Sequence, residues 1–293
     1  MQHQAFLTLA KQFKIDAPKP QKILDQYWDM ASRGHKGGKS FIKKYGSIGS
    51  QKSKIKGGQV SQRNRRSNPE KYPQCINSIK KPAKSLKLSE VIGATLGDGH
   101  LNHYQMYIYL FREQKMYSSY LAKTFKELFG IKPTITFPTC KGKTSVISIS
   151  ISSIKLTQYF EEIGLEKGNK VKNQVDVPVW IKENLKYSKE CLRGLIDTDG
   201  GVFEHKHGKY INFGLCFSNH SIPLRNFVKC TLHKLGFTPK CSGHGIYLYR
   251  QKEVLRYFEE VGSSNQYHIP RLQKILKKRR DARAVESARL ERE

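Results

Sequence analysis

Two stretches decide the fold: Val91-Ile92-Gly93-Ala94-Thr95-Leu96-Gly97-Asp98-Gly99 and Leu192-Arg193-Gly194-Leu195-Ile196-Asp197-Thr198-Asp199-Gly200. Each is an apolar run with Gly at its third position, closing on Asp-Gly. The aspartates Asp98 and Asp199 stand 101 residues apart, a period that points to a duplicated domain. Gly93 and Gly97, and Gly194 with Thr198, place small residues four apart on one helix face, which lets two helix backbones approach closely. Each Asp falls at a helix C-terminal end, where the helix dipole disfavours an anion. A cation placed there removes that penalty. Two carboxylates brought together repel and raise one another's pKa unless a divalent metal compensates. Asp and backbone carbonyl oxygens are hard ligands suited to Mg²⁺, and such paired sites support phosphodiester hydrolysis.

Working outward, local patterns repeat in the same order. Ser89 and Ser188 are placed to cap the two motif helices. Gln105–Phe111 alternates, with Met106, Ile108 and Leu110 on one face and Gln105, Tyr107 and Tyr109 on the other. Met116–Phe129 reads as a helix closed by Gly130. A strand is expected near residues 131–137. Ile147, Ile149 and Ile151 alternate with Ser148, Ser150 and Ser152, and a helix follows from Ile154 to Ile163. The second half gives an alternating Tyr210–Ser218, a helix from Leu224 to Leu235, an alternation of Ile246 and Leu248 with Tyr247, Tyr249 and Gln251, and a helix from Val254 to Val261. Tyr159-Phe160-Glu161-Glu162-Ile163-Gly164 echoes Tyr257-Phe258-Glu259-Glu260-Val261-Gly262. Each half is therefore expected to be αββαββα. If the Ile, Leu and Phe faces pack inward, Gln105, Tyr107, Tyr109, Ser148, Ser150, Tyr210, Asn212, Tyr247, Tyr249 and Gln251 face outward and are candidates to read base edges.

The chain of 293 residues carries Lys+Arg 53 against Asp+Glu 24, a formal charge of +29. Such an excess points to a polyanionic partner. Residues 31–87 hold 16 Lys/Arg and one acid, Glu70, among many Gly, Ser, Gln and Asn. That composition predicts flexibility in the free chain and ordering on nucleic acid. Residues 1–30 read as two short helices broken at Pro18 and Pro20, and 271–292 as a polar helical tail. The boundaries expected are 1–30, a helical segment; 31–85, a basic arm or linker; 86–187 and 188–276, the two repeats; and 277–293, the tail. None of the six cysteines forms a Cys-x-x-Cys pair or a zinc spacing with His. A reducing compartment follows. With no apolar run of membrane length and no signal peptide, an intracellular protein is expected. His220, His233, His244 and His268 show no ligand spacing in sequence.

These motifs resemble those of the monomeric, two-repeat LAGLIDADG homing endonucleases. Leu192–Gly200 is close to the name-giving pattern; the first copy is more diverged and ends Gly97-Asp98-Gly99. Pro178-Val179-Trp180-Ile181 and Phe217-Ser218-Asn219 add to the resemblance, which spans about residues 86–276. It implies an α+β fold: two pseudo-twofold-related repeats forming a saddle of two antiparallel sheets, with the motif helices at the interface and a basic N-terminal extension. It implies Asp98 and Asp199 as the metal-binding catalytic carboxylates, with the carbonyls of Gly97 and Thr198 as further ligands. Mg²⁺ is the implied cofactor, with Mn²⁺ or Ca²⁺ able to substitute for binding. The partner is double-stranded DNA with a long pseudo-palindromic or asymmetric site, cut across the minor groove to leave 3′ overhangs by a monomer. Such proteins drive intron homing as mobile genetic elements, from cytoplasm, nucleoid or an organelle that encodes its own intron. Lys209, Arg250 and Lys252 are candidates to assist at the metals. Leu96 and Gly97 depart from the Asp-Ala of the family name; Asp197, opposite Leu96, reads as structural. An RNA maturase acting on intron RNA, or a DNA-binding regulator without cleavage, stays open as the alternative. The ends carry no His-Asn splice signature, so an intein origin is not expected.

Overall fold

The structure is a computed structural model and describes residues 3–15, 28–46, 49–68, 79–140, 143–144, 146–207 and 210–290. It divides into two compact units, Met1–Asn68 and Pro69–Glu293.

The first unit holds α1 (His3–Gln12), α2 (Trp28–Tyr45) and α3 (Gln51–Ser67). Within the segment expected to be flexible, residues up to Tyr45 and from Gln51 to Ser67 are helical, and α2 runs through the boundary placed at residue 30. Runs of Lys, Gln and Arg are good helix formers, and the Ser50 hydroxyl accepts from the Ser53 N–H to start α3. Among the described residues no core supports these helices: Phe13, Phe41, Ile42, Tyr45, Ile55 and Val60 are all exposed. Gly57 and Gly58 sit inside α3 with nothing within 4 Å of an added Cβ.

The second unit opens with a strap, residues 79–85, whose basic composition groups it with the arm but whose contacts do not. The Lys80 N–H bonds the Phe129 carbonyl, and the Tyr159 and Tyr187 hydroxyls bond the carbonyls of Pro82 and Lys84. Then come α4 (Leu86–Gly97), β1 (Gly99–Leu101), β2 (Gln105–Phe111), α5 (Lys115–Phe129), β3 (Thr134–Thr136), β4 (Thr139–Cys140), β5 (Lys143–Thr144), β6 (Val146–Ser152) and α6 (Ile154–Glu162). Short helices α7 (Lys170–Asn173) and α8 (Val179–Lys182) join the halves. The second half is α9 (Leu185–Asp199), β7 (Gly200–His207), β8 (Tyr210–Ser218), α10 (Ile222–Lys234), β9 (Lys240–Ser242), β10 (Gly245–Leu248) and α11 (Gln251–Glu260), followed by α12 (His268–Leu290).

Each half is αββαββα, with β4–β5 a small added hairpin. The two four-stranded antiparallel sheets have matching order, β1-β2-β6-β3 and β7-β8-β10-β9. The fold is α+β, as the periodicities require. Met106, Ile108, Leu110, Ile147, Ile149 and Ile151 line the inner face of the first sheet; Phe213, Leu215, Phe217, Ile246 and Leu248 line the second. Gly130 and Gly236, at φ +74° and +76°, end α5 and α10 at equivalent places.

Both motif helices begin one turn earlier than expected. Ser85 caps α4, accepting from Leu88, and Asn184 caps α9, accepting from Lys186 and Tyr187. Ser89 and Ser188 are buried inside the helices; the Ser188 hydroxyl bonds the Ile181 carbonyl. Burial of α4 from Leu88 to Gly97 outranks the local cap preference, so the helix extends to the preceding capping residue. The strand expected to reach Gln251 stops at Leu248, and Gln251 opens α11. The expected polar tail is anchored at its start, because Leu272 and Ile275 of α12 belong to the core. Arg279 lies over the Phe213 ring, 5.5 Å from its centroid.

Candidate active site

α4 and α9 cross in backbone contact. A Cβ added at Gly93 would run into the Cys191 carbonyl, and one at Gly194 into the Glu90 carbonyl. Gly97 has Thr198 in the corresponding position. A buried ion pair locks the crossing: Arg193 Nη2 lies 2.7 Å from Glu90, Glu190 also pairs with Arg193, and the Tyr120 hydroxyl donates to Glu90 at 2.9 Å.

This contact delivers Asp98 and Asp199 to one point at the helix ends. Their carboxyls share a hydrogen bond. Burial, reinforced by Asp199, pushes Asp98 up to about 7, against the pull of Lys170. Burial also raises Asp199, but Asn219 opposes it, donating from Nδ2 at 2.5 Å. The Asn219 amide is itself fixed, its Oδ1 accepting from the Ser221 N–H. Asp199 thus pushes Asp98 up, while Asn219 and Lys170 hold Asp199 down against its burial.

Lys170, the first residue of α7, fills the space beside the pair. Its Nζ donates to the Leu96 carbonyl at 3.0 Å and to the Gly97 carbonyl. Burial lowers its pKa, while Asp199 and Asp98 raise it. Composition and spacing give Lys170 no prominence; a signal is available in the repeat. Gly164 and Gly262 close the two echoed segments, and six residues beyond them stand Lys170 and His268. His268 Nε2 contacts the Asp197 carbonyl at 3.4 Å. Leu96 and Asp197 each lie two residues before the terminal aspartate of their motif, so the two side chains bind equivalent carbonyls.

Asp197 is fully buried. Its carboxylate accepts from the Ser263 hydroxyl and the N–H groups of Ser264 and Asn265. It ties the segment entering α12 to the end of α9, while its counterpart Leu96 packs in the core. Thr198 Oγ1 folds back onto the Gly194 carbonyl.

The outward sheet faces differ. On the first, Gln105 Nε2 bonds Ser152 at 2.6 Å, the Tyr107 hydroxyl bonds Gln105, and Tyr107 stacks on Tyr109. Ser150 is half-buried and bonds the Thr134 carbonyl, and Ser148 is buried, so it is not open as expected. On the second, Tyr247 and Tyr249 stack with centroids 5.5 Å apart, and Phe203 of β7 stands edge-on to both. His205 completes the cluster. Hydrophobic periodicity does not reveal Phe203, because β7 inverts the usual alternation: Glu204 faces the interior and is paired with Lys278 at 2.8 Å. Asn212 accepts from Gln251, which in turn accepts from Arg279, at the margin of this sheet. Arg250 is exposed and pairs with Glu253. Lys209 lies outside the described residues, and Tyr210 is described only as a backbone partner of His207. The fold also brings together His220 and His244, with ring centroids 4.6 Å apart.

Among the described residues no group of three or more His, Cys, Asp or Glu is placed to hold a metal. The donor set at the helix ends nevertheless fits one hard divalent cation. Two buried carboxyls whose charges act on one another are relieved by it, and the Gly97 carbonyl borders them.

Residues 186–262 match the model of the LAGLIDADG-like domain. The match covers α9, both sheet hairpins and α11. A tRNA-splicing ligase RtcB of Pyrococcus furiosus is 28% identical over 131 residues, 41% of this chain. The chain spans only 14% of the length of that curated relative. Among solved structures, full-length DUF199/WhiA from Thermatoga maritima aligns at TM-score 0.44 and 14% identity, over 72% of this chain and 69% of that one. The LAGLIDADG meganuclease I-AabMI bound to uncleaved DNA aligns at 0.44 and 11%, over 68% and 91%. The LAGLIDADG homing endonuclease I-GzeII in complex with its DNA target aligns at 0.43 and 13%, over 70% and 92%. No helix among the described residues is long and apolar enough to cross a membrane.

Proposed function

We propose that this chain is a site-specific, divalent-metal-dependent endonuclease for double-stranded DNA, of the LAGLIDADG homing type. One observation carries the reading: the backbone contact of α4 and α9 brings the Asp199 carboxyl against Gly97, next to Asp98, so that the two motif carboxyls meet at the helix ends. Buried carboxylates in mutual contact are costly without a cation, and an excess charge of +29 suits a phosphate substrate.

Asp98 and Asp199 would hold the metal, with the carbonyls of Gly97 and Thr198 beside them; Mg²⁺ is the expected ion. When bound it supplies charge to polarise a phosphodiester and lower the pKa of a water. In each strand the water oxygen bonds to phosphorus, one P–O ester bond breaks, and the leaving oxygen takes up a proton equal to the one the water loses. Asn219 keeps Asp199 ionised and aimed. Lys170 supplies a fixed positive charge beside both carboxylates. The outward faces of the two sheets, free of described carboxylates, take the duplex on either side of the cut. Because both aspartates come from one chain, a monomer completes the site.

A second reading draws on Lys170 itself. Its ammonium already neutralises the pair and occupies the Gly97 carbonyl, an arrangement that suits a DNA-binding regulator without cleavage.

A supercoiled plasmid carrying the joined genomic flanks of this reading frame separates the two. One Mg²⁺-dependent double-strand cut with 3′ overhangs, abolished by EDTA and by Asp199→Asn, supports the endonuclease. Tight EDTA-insensitive binding without cutting refutes it in favour of a regulator, or of a maturase if the intron RNA binds more tightly than the duplex.

A further inference from the structure

His220 and His244 lie on separate loops of the second half and meet at one end of its sheet. β8 pairs with β10 from Leu215 opposite Leu248 to Ser218 opposite Gly245. One step beyond that ladder the Asn219 N–H donates to the His244 carbonyl at 3.2 Å. The two imidazoles follow, with ring centroids 4.6 Å apart and planes inclined at 47°. Both residues are exposed, so the rings reach solvent without any change of backbone.

The backbone on either side is held. Asn219 Oδ1 accepts from the Ser221 N–H, and the buried Ser221 hydroxyl donates to the Val175 carbonyl at 2.6 Å. The carbonyl of Gly243, next to His244, accepts from Arg225 Nη1 at 2.7 Å. Fixing both loops beforehand removes ordering entropy that closure on a ligand would otherwise cost.

The spacing is that of a chelate. A metal–imidazole bond is about 2.0–2.1 Å long and the ring centre lies about 1.1 Å behind the nitrogen, so two imidazoles on one ion have centres about 4.5–5.1 Å apart at bond angles of about 90–110°. The observed 4.6 Å falls within that range. Neutral ring nitrogens suit Ni²⁺, Cu²⁺ and Zn²⁺, whereas Mg²⁺ demands oxygen ligands. The pair therefore does not compete for the ion expected at Asp98 and Asp199. No third His, Cys, Asp or Glu among the described residues joins it, so the remaining positions on the ion fall to water.

We propose that His220 and His244 form a second cation site, which takes one borderline divalent ion through two ring nitrogens. The site is separate from the carboxylates in chemistry but linked to them through the chain. His220 follows Asn219, whose side-chain amide donates to Asp199 at 2.5 Å. An ion held by the two rings pins the turn from which Asp199 is aimed. The site needs no DNA and stands whether or not the chain cuts.

The test is calorimetric titration of Ni²⁺ into full-length, tag-free protein that has been stripped with EDTA, dialysed and kept reduced. Wild type should show saturable binding of one equivalent. His220→Ala or His244→Ala turns a chelate into a single donor and should weaken the ion by at least about tenfold. Asp199→Asn and Cys241→Ser should leave the affinity within about twofold. Cu²⁺ bound to wild type should show electron spin-echo coupling to two imidazoles, and to one in either histidine variant. No saturable Ni²⁺ binding, an affinity unchanged by both histidine variants, or an equal loss with Asp199→Asn or Cys241→Ser overturns the proposal and leaves the endonuclease reading untouched. The wild-type Cu²⁺ spectrum decides the matter even if a variant fails to fold, since coupling to fewer than two imidazoles overturns it.

Discussion

Asp197 and Asn265 bind each other twice: the Asn265 N–H donates to the Asp197 carboxylate, and the Asn265 side-chain amide donates to the Asp197 carbonyl at 2.7 Å. Replacing Asp197 with Ala leaves the half-buried Ser264 N–H without its acceptor, while the Ser263 hydroxyl keeps the Asn265 carbonyl and the Asn265 N–H keeps the Ser263 oxygen. Leaving such groups unsatisfied costs about 1–3 kcal/mol each. Asp197→Ala should lower unfolding stability by roughly 1–3 kcal/mol in urea titrations. Asp197→Leu, copying Leu96, should not restore it, because the loop from Ser263 to Asn265 keeps its donors.

The raised pKa of Asp98 gives a pH signature. Its folded pKa of about 7 lies above the ordinary 3.8, so the native state binds more protons than the unfolded chain between those values. Stability from this group is therefore full below pH ~4 and lost as pH rises to about 7. With EDTA present, wild type should lose stability over that window relative to Asp98→Asn. Equal slopes for the two proteins would mean that burial beside Asp199 does not raise Asp98.

Gly194→Ala places a methyl against the Glu90 carbonyl, at a crossing that carries both aspartates. The helices must separate, so a stability loss of about 1–3 kcal/mol and a large loss of cleavage are expected together. Gly57→Ala meets open space and removes a helix-weakening residue from α3. It should raise helicity with a local gain of about 1 kcal/mol, read by circular dichroism.

On the second sheet, Tyr247 stacks on Tyr249 and Phe203 stands edge-on to both, so the rings are already engaged with one another. That arrangement suits apolar contact with thymine methyls in a paired duplex better than stacking of unpaired bases. Tyr249→Ala should weaken duplex binding by about 1–3 kcal/mol without shifting the melting temperature. Replacing thymine by uracil in the half-site should weaken wild type and spare the variant.

Deleting residues 1–68, rather than a segment reaching into the 79–85 strap, removes the basic unit and keeps the second unit whole. The slope of log affinity against log salt should shrink by about 0.9 for each phosphate that the shortened chain no longer neutralises. An unchanged slope would show that the helices of the first unit do not touch DNA.

Period and glycine placement make most of the second unit legible. Ile147, Ile149 and Ile151 could only be a half-buried strand, and Gly93 with Gly194 could only mark close helices. Legibility fails where tertiary packing overrides local preference. Ser89 has the chemistry of a cap but is absorbed into a helix buried all round. Glu204 turns inward because Lys278 of a distant helix awaits it, and that hides Phe203. Lys170 lies in a polar connector with no periodicity, so only the internal repeat betrays it.

The origin of Lys170 in α7 has a consequence for any attempt to take the molecule apart. The peptide that joins the halves is itself a source of site chemistry. A dimer of first halves would set two lysines beside two copies of Asp98, provided each copy kept its connector. A dimer of second halves would set two spent imidazoles there and no ammonium. The halves are alike in shape but not interchangeable as parts, and severing the chain before residue 170 would hand the lysine to the wrong piece.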